Sequence, residues 1–370
     1  MSESKIAVKK QRNYGIDLLR IVAISMVLVL HVLGKDNILS TTEKLSANFN
    51  AAWLLEIAAY CAVDCYALIS GYVGFQGKHK ASNIVMLWLQ VAFYSIGATL
   101  LFKLILPESV NNLTLFNSFF PVMTKQYWYF TSYFGLFLIT PLLNAAVNSM
   151  TKKQLEGVLI AIFIFVSVIS VSFFNDVFLF NNGYSMFWLA VMYLFGAYFG
   201  KYNTLEKTSK LKLFIIYLAC VLITWVTKLL MVYLTDELAV KVFNKNLLVS
   251  YMSPTIVTAA ICLLGIFANL NISEKIGKII VYVASLSFGV YLIQSQPLIS
   301  RQFMRDSFAK FSNYPTLGLV FAVLGTAALI FVVCAAIDAV RQLLFKAIRV
   351  KKLVVFAESR VLSKFKSKES

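Results

Sequence analysis

A chain of 370 residues that is 59% hydrophobic and only 14% charged is too apolar for a soluble fold, since soluble domains run to about 45–50% apolar and about 25% charged. The net charge of +17 raises the question of a nucleic-acid partner, and its distribution excludes one: the basic residues fill short loops between apolar runs and the C-terminal tail, with no soluble domain to hold a duplex. In a membrane protein such an excess reports topology and attraction to anionic membrane lipid.

The polar, basic stretch 1–15 leads into the first apolar run, 16–34, with no small-residue cleavage site after it. That run is expected to stay as a helix and not to be removed as a signal peptide. Further apolar stretches follow at 52–75, 83–106, 127–148, 155–175, 184–200, 211–234, 247–270, 277–299 and 315–340. Each is close to the spanning length of about 17–25 residues. They predict an all-α, polytopic transmembrane helical bundle of about ten spans. With the N-terminus inside, the inside segments hold nearly three times as many Lys and Arg as the outside ones, which places both termini in the cytoplasm. An odd number of spans would put the basic tail outside. The expected organisation is a cytoplasmic segment 1–15, one membrane domain 16–340 and a basic cytoplasmic tail 341–370, too short for a core of its own. Cys61, Cys65, Cys220, Cys262 and Cys334 all fall inside apolar runs and are expected to be small buried hydrophobes, with no disulfide framework and no metal site.

The first apolar run carries the strongest chemical signal. Arg20 and His31 bracket ten apolar or small residues. Eleven steps of about 100° make roughly three turns, so both side chains share one helix face, about 16 Å apart along the axis. Ionisable side chains in a membrane helix are functional candidates by default. A desolvated imidazole stays neutral, which suits a general base; packing glue between helices is the alternative. Arg20, three residues after Asp17, is either a headgroup-level Arg paired with Asp17 or an anion grip below His31. In the second segment Glu56 lies nearer the depth of His31, and Asp64 nearer mid-membrane; either could orient the imidazole. Lys228 and Asp338 are lesser candidates, Asp338 being placed to pair with Arg341 at i, i+3. Arg301 and Arg305, one turn apart beyond the ninth segment, could grip an anionic group or anchor the interface. His79, between Lys78 and Lys80, is expected to be a solvated loop residue.

Four stretches together resemble the acyltransferase 3 family of integral membrane acyltransferases. They are the Arg20–His31 element behind Asp17-Leu18-Leu19, VDCYALISGYVGF at 63–75, WYFTSYFGLFLITPLLNAA at 128–146, and SLSFGVYLIQSQPL at 285–298. In the last block family members often carry a His where this chain has Gln294, which leaves His31 as its sole intramembrane imidazole. The resemblance implies transfer of an acyl group, usually acetyl, from cytosolic acyl-CoA (here acetyl-CoA) to a hydroxyl of an envelope polysaccharide or lipid-linked glycan. It makes His31 the catalytic His and Arg20 its motif partner, with Asp17 beside it on the donor side. Asp64, Ser70, Gly71 and Tyr72 match the second block, and Trp128 and Tyr129 the third. Tyr72 and Tyr129 are the candidate donors to a developing oxyanion. The basic loops at 78–80, 152–153 and 201–212 either meet the CoA phosphates or simply set topology. A transporter or flippase for an anionic sugar or lipid would also bury charges in such a bundle, but the chain shows no repeat between its halves, a feature common in transporter folds.

Overall fold

The computed structural model describes residues 12–35, 37–77, 79–169, 171, 176–240 and 244–366. Most of the segment 1–15, and Lys78, Lys241 and Lys368 among the charges used for topology, lie outside them. The described residues form α-helices joined by short helical turns and loops, without strands.

Helix α1 (Tyr14–Lys35) is the hub. Asn13 starts it: its side-chain oxygen accepts from the Gly15 and Ile16 N–H groups, which have no intrahelical partner. Its amide nitrogen donates 2.8 Å to the Ala268 carbonyl. Gly15 is required there, because a Cβ would stand 1.8 Å from the Phe267 carbonyl oxygen. Around α1 pack α2 (Ala47–Ala59), α3 (Ala62–Gly74), α9 (Pro254–Ala268), α10 (Glu274–Ser295) and α11 (Thr316–Ala347). The remaining long helices are α4 (Ala81–Ile105), α5 (Trp128–Ser149), α6 (Lys152–Ile162, continuing as a π-helix over Phe163–Ile169), α7 (Met186–Tyr202), α8 (Lys210–Asp236) and α12 (Val350–Lys366).

Among the described residues, seven helical stretches are long and apolar enough to cross a membrane: α1, α2 with α3, α4, α5, α8, α10 and α11. The other three expected spans are helical but short: α6 changes to π geometry after 11 residues, and α7 and α9 have 17 and 15. Most of α7 and α9 is buried among other helices, so neither must match the bilayer thickness by itself. Exposed apolar side chains such as Leu104, Ile223, Phe321 and Val332 stripe α4, α8 and α11 on the outside, where lipid replaces water as solvent. The five cysteines are buried and free.

Two features shape the interior. The second expected span is broken at Tyr60–Cys61 into α2 and α3. A break inside a bilayer orphans backbone groups, which must find partners within the protein; here Tyr217 donates 2.8 Å to the Ala58 carbonyl. The second feature is the seam between α3 and α7. A Cβ on Gly71 would lie 1.9 Å from the Tyr193 carbonyl oxygen, one on Gly196 2.0 Å from that of Leu68, and one on Gly200 2.4 Å from that of Tyr72. Only glycine lets these backbones meet.

The tail is helical too. α12 packs on the start of α4, where the Ser82 N–H donates 3.1 Å to the Glu358 carboxylate, and Ser82 holds that carboxyl below its ordinary range through its hydroxyl and its backbone N–H. Asn13 is tied to Ala268, and Asn269 to Leu205. The described beginning and end of the chain therefore lie at one end of the bundle.

Candidate active site

One face of α1 looks into an internal cavity of about 640 Å³. Arg20, Ile24, Val27, His31 and Gly34 contribute from successive turns of that face, as the helical period requires. The opposite wall comes from Tyr129, Tyr133, Phe137 and Asn144 on α5, and the floor from Glu56 on α2, Tyr60 at the break, and Tyr66 and Ser70 on α3. Gly77, His79 and Asn83 line one end, beside the loop from α3 to α4. Lys35, Trp128, Tyr184 and Tyr251 line the other. The cavity thus runs lengthwise through the bundle, with Arg20 toward the end that holds both described termini and His31 toward the opposite one.

His31 Nδ1 lies 2.6 Å from Gln294 Oε1 on α10, and the Gln294 amide nitrogen donates 2.7 Å to Ser295 Oγ. The imidazole partner is therefore Gln294, not Asp64 or Glu56. Asp64 is fully buried, does not line the cavity, and accepts 2.9 Å from the Trp188 indole N–H. Glu56 does line the cavity, 8% exposed, and its Oε2 has no hydrogen-bond partner. Arg20 pairs with Asp17, as the i, i+3 spacing implies, and Arg12 holds the same carboxylate from outside at 2.6 Å. Those two cations occupy Asp17, so it supports Arg20 from behind instead of facing the cavity. The Arg20 carbonyl accepts 2.8 Å from Tyr66, fixing α3 to α1 at this level.

Of the residues singled out from the sequence, the cavity gathers Arg20, His31, Glu56, Ser70, Trp128 and Tyr129. Gly71 and Tyr72 belong to the α3–α7 seam, where their backbone is the contact surface, so Tyr129 is the one of the two candidate oxyanion donors that reaches the cavity. Arg301 and Arg305 stand exposed beyond α10, Arg305 facing Asp306 at 3.7 Å, and do not reach it. Asp338 pairs bidentately with Arg341 as expected, and Lys228 donates to Asn246 and sits 3.9 Å over the Trp53 ring. His79 is an exposed loop residue, as expected; its ring also lies tilted against Phe137, centroids 4.1 Å apart, and lines the cavity mouth, brought there by a loop whose course the sequence does not show.

Sequence reasoning picked out Tyr129 but missed the rest of the tyrosine lining. Tyr60, Tyr66, Tyr129, Tyr133, Tyr184, Tyr193, Tyr251 and Tyr291 all face the cavity. At the His31 end Trp128, Tyr184, Tyr251 and Tyr60 form a contiguous aromatic group, with neighbouring centroids 4.6 to 6.2 Å apart. Rings with polar tips suit a ligand that is part apolar and part hydroxylated. The available signal was the count of 18 Tyr, high for interior helices but silent on which cluster.

Fold and cavity together describe a helical, multi-pass membrane protein with the His31 imidazole and the Arg20 guanidinium on one internal wall. The model of the acyltransferase domain of the acyltransferase 3 family matches residues 13–337. The chain belongs to that family and is a membrane acyltransferase. No curated protein and no solved structure matches it.

Proposed function

We propose that this acyltransferase is an O-acetyltransferase of the cell membrane, moving acetyl from cytosolic acetyl-CoA to a hydroxyl of an envelope polysaccharide or its lipid-linked precursor. One observation carries the reading: Arg20 and His31 share one wall of a cavity that reaches toward both ends of the bundle. The positive-inside bias puts the Arg20 end in the cytoplasm. At that end Arg20, Asn83, Asn144 and His79 offer a cation and neutral donors suited to a pantetheine arm, while the nucleotide of the donor stays at the basic mouth. The donor supplies an activated thioester. His31 Nε2 takes the proton of the acceptor hydroxyl as its oxygen bonds to the acyl carbon, and returns that proton to the sulfur as the C–S bond breaks. Tyr129 is placed to donate to the oxyanion between those steps, and the aromatic group near Trp128 to stack on a sugar face.

The test is O-acylation of envelope glycans, by mass spectrometry, in a deletion strain complemented with wild type or His31→Ala at equal membrane levels. Wild type restores the acyl mass and His31→Ala does not. Restoration by both would make His31 a packing residue. If neither deletion nor wild type changes any glycan acylation, and an anionic sugar or lipid instead fails to cross in the deletion, the protein is a transporter.

A further inference from the structure

We infer that Gln294 is a positioning residue for His31: it holds the imidazole as the Nδ1–H tautomer and so presents an unprotonated Nε2 to the cavity. The inference rests on the proposed role of His31 in acyl transfer, but its geometry stands apart from that role. A neutral imidazole has one donor and one acceptor nitrogen, and the partner of one nitrogen decides the state of the other. Here Nδ1 faces Gln294 Oε1 at 2.6 Å. The amide stands with its oxygen toward the ring and its nitrogen 2.7 Å from Ser295 Oγ, a hydroxyl able to accept from it. With the amide so placed, Nδ1 donates to its oxygen and the lone pair is left on Nε2.

The surroundings keep this arrangement in place. Gln294 is 1% exposed, in the last turn of α10, and α10 packs along α1. The next turn is held by Gln296, whose Oε1 accepts from the Leu298 and Ile299 N–H groups at 2.7 and 2.9 Å. An amide orients the ring without adding charge beside it. The proton that His31 collects from an acceptor hydroxyl is thus not retained in an ion pair and passes on to the departing sulfur. A carboxylate in the same place would orient the ring equally and hold the proton longer.

The sequence makes the tautomer directly measurable, because His31 and His79 are its only histidines. In full-length protein labelled with 15N-histidine and carrying His79→Ala, a single imidazole remains for 15N NMR in detergent or nanodiscs. The expected spectrum has a protonated Nδ1 and an unprotonated Nε2. Adding Gln294→Met, similar in size but without the acceptor, moves the proton to Nε2. An Nε2–H tautomer before that change, or an unaltered spectrum after it, overturns the inference whatever the protein catalyses. For acyl transfer from labelled acetyl-CoA, with His79 in place, Gln294→Met lowers kcat about 10- to 100-fold at unchanged KM. Gln294→Glu, which keeps an acceptor at the same reach, recovers most of that loss. Wild-type kcat in Gln294→Met with an inactive His31→Ala would refute the positioning role and leave the acyltransferase mechanism standing. Full activity in His31→Ala would refute the mechanism instead.

Discussion

Two parts of the bundle keep ionisable side chains out of water, and they are built in opposite ways. On α11, Asp338 is fully buried and saturated. It accepts from Arg341 through Nε and Nη2 at 2.8 to 3.0 Å, from Tyr94 at 2.7 Å, from Gln90 at 3.1 Å and from Gln342 at 3.3 Å. A Cβ on Gly289 of α10 would stand 2.1 Å from its carboxyl carbon, so no cavity adjoins it. Along the cavity the groups are held from one side only. Gln294 takes one nitrogen of His31, Asp17 takes one face of Arg20, and Glu56 Oε2 has no partner. All three open on the same cavity. The saturated pair holds helices together, whereas the groups on the cavity keep hydrogen-bonding capacity turned toward it.

The sharpest way to break that contrast is to remove one partner from each region. Asp338→Ala strands a buried guanidinium, which costs about 3–5 kcal/mol. The expected result is a large drop in thermal midpoint or membrane yield, with kcat retained by the protein that still folds. A loss of kcat in well-folded protein would instead give the pair a share in the reaction. Arg20→Gln has the reverse signature: KM for the acyl donor rises by about tenfold, as for one lost charge-assisted hydrogen bond, with little change in thermal midpoint. Steady-state kinetics across donor concentrations would check it, and an unchanged donor KM would reduce Arg20 to an interfacial anchor.

Glu56→Gln is a finer test, since no partner is lost. Replacing an unpaired buried carboxyl by an amide leaves stability equal or slightly higher, while KM for the acceptor rises several-fold, within the range of a single hydrogen bond. A destabilised Glu56→Gln would mean that this carboxyl holds the fold. The smallest expected effect lies outside the membrane, at Glu358. Its carboxyl is held below the ordinary 4.5 by Ser82, through the hydroxyl and the backbone N–H, so the stabilisation is present above that value and lost as pH falls through the depressed one. Amide hydrogen exchange in α12 should speed up only in that acid range, and Glu358→Gln should remove the pH dependence.

Much of this was legible in the sequence, for physical reasons that differ from residue to residue. The shared face of Arg20 and His31 follows from the helical period alone, and the positions of the helical segments follow from hydrophobic length. The i, i+3 pairs Asp17–Arg20 and Asp338–Arg341 are equally local. The break at Tyr60–Cys61 is not local: no Pro or Gly stands there, and its stray carbonyl is answered by Tyr217, 159 positions away. Asp64 reads as a free carboxylate until Trp188 arrives from α7. Gln294 could be noticed in the sequence as a missing His, but its contact with His31 joins positions 263 apart, which no periodicity can bring together.

The glycine seam has a mechanical consequence. Where Gly71, Gly196 and Gly200 press backbone on backbone, α3 and α7 leave little room to slide or separate, and they form the stiff side of the cavity. α5, across the cavity, buries only Phe130, Leu136 and Val147 and carries Pro141 in its interior. That proline forgoes the bond to the Phe137 carbonyl and weakens the rod one turn from the ring against which His79 lies. The cavity is thus enclosed by walls of unequal stiffness, with the softest point at Pro141 on α5.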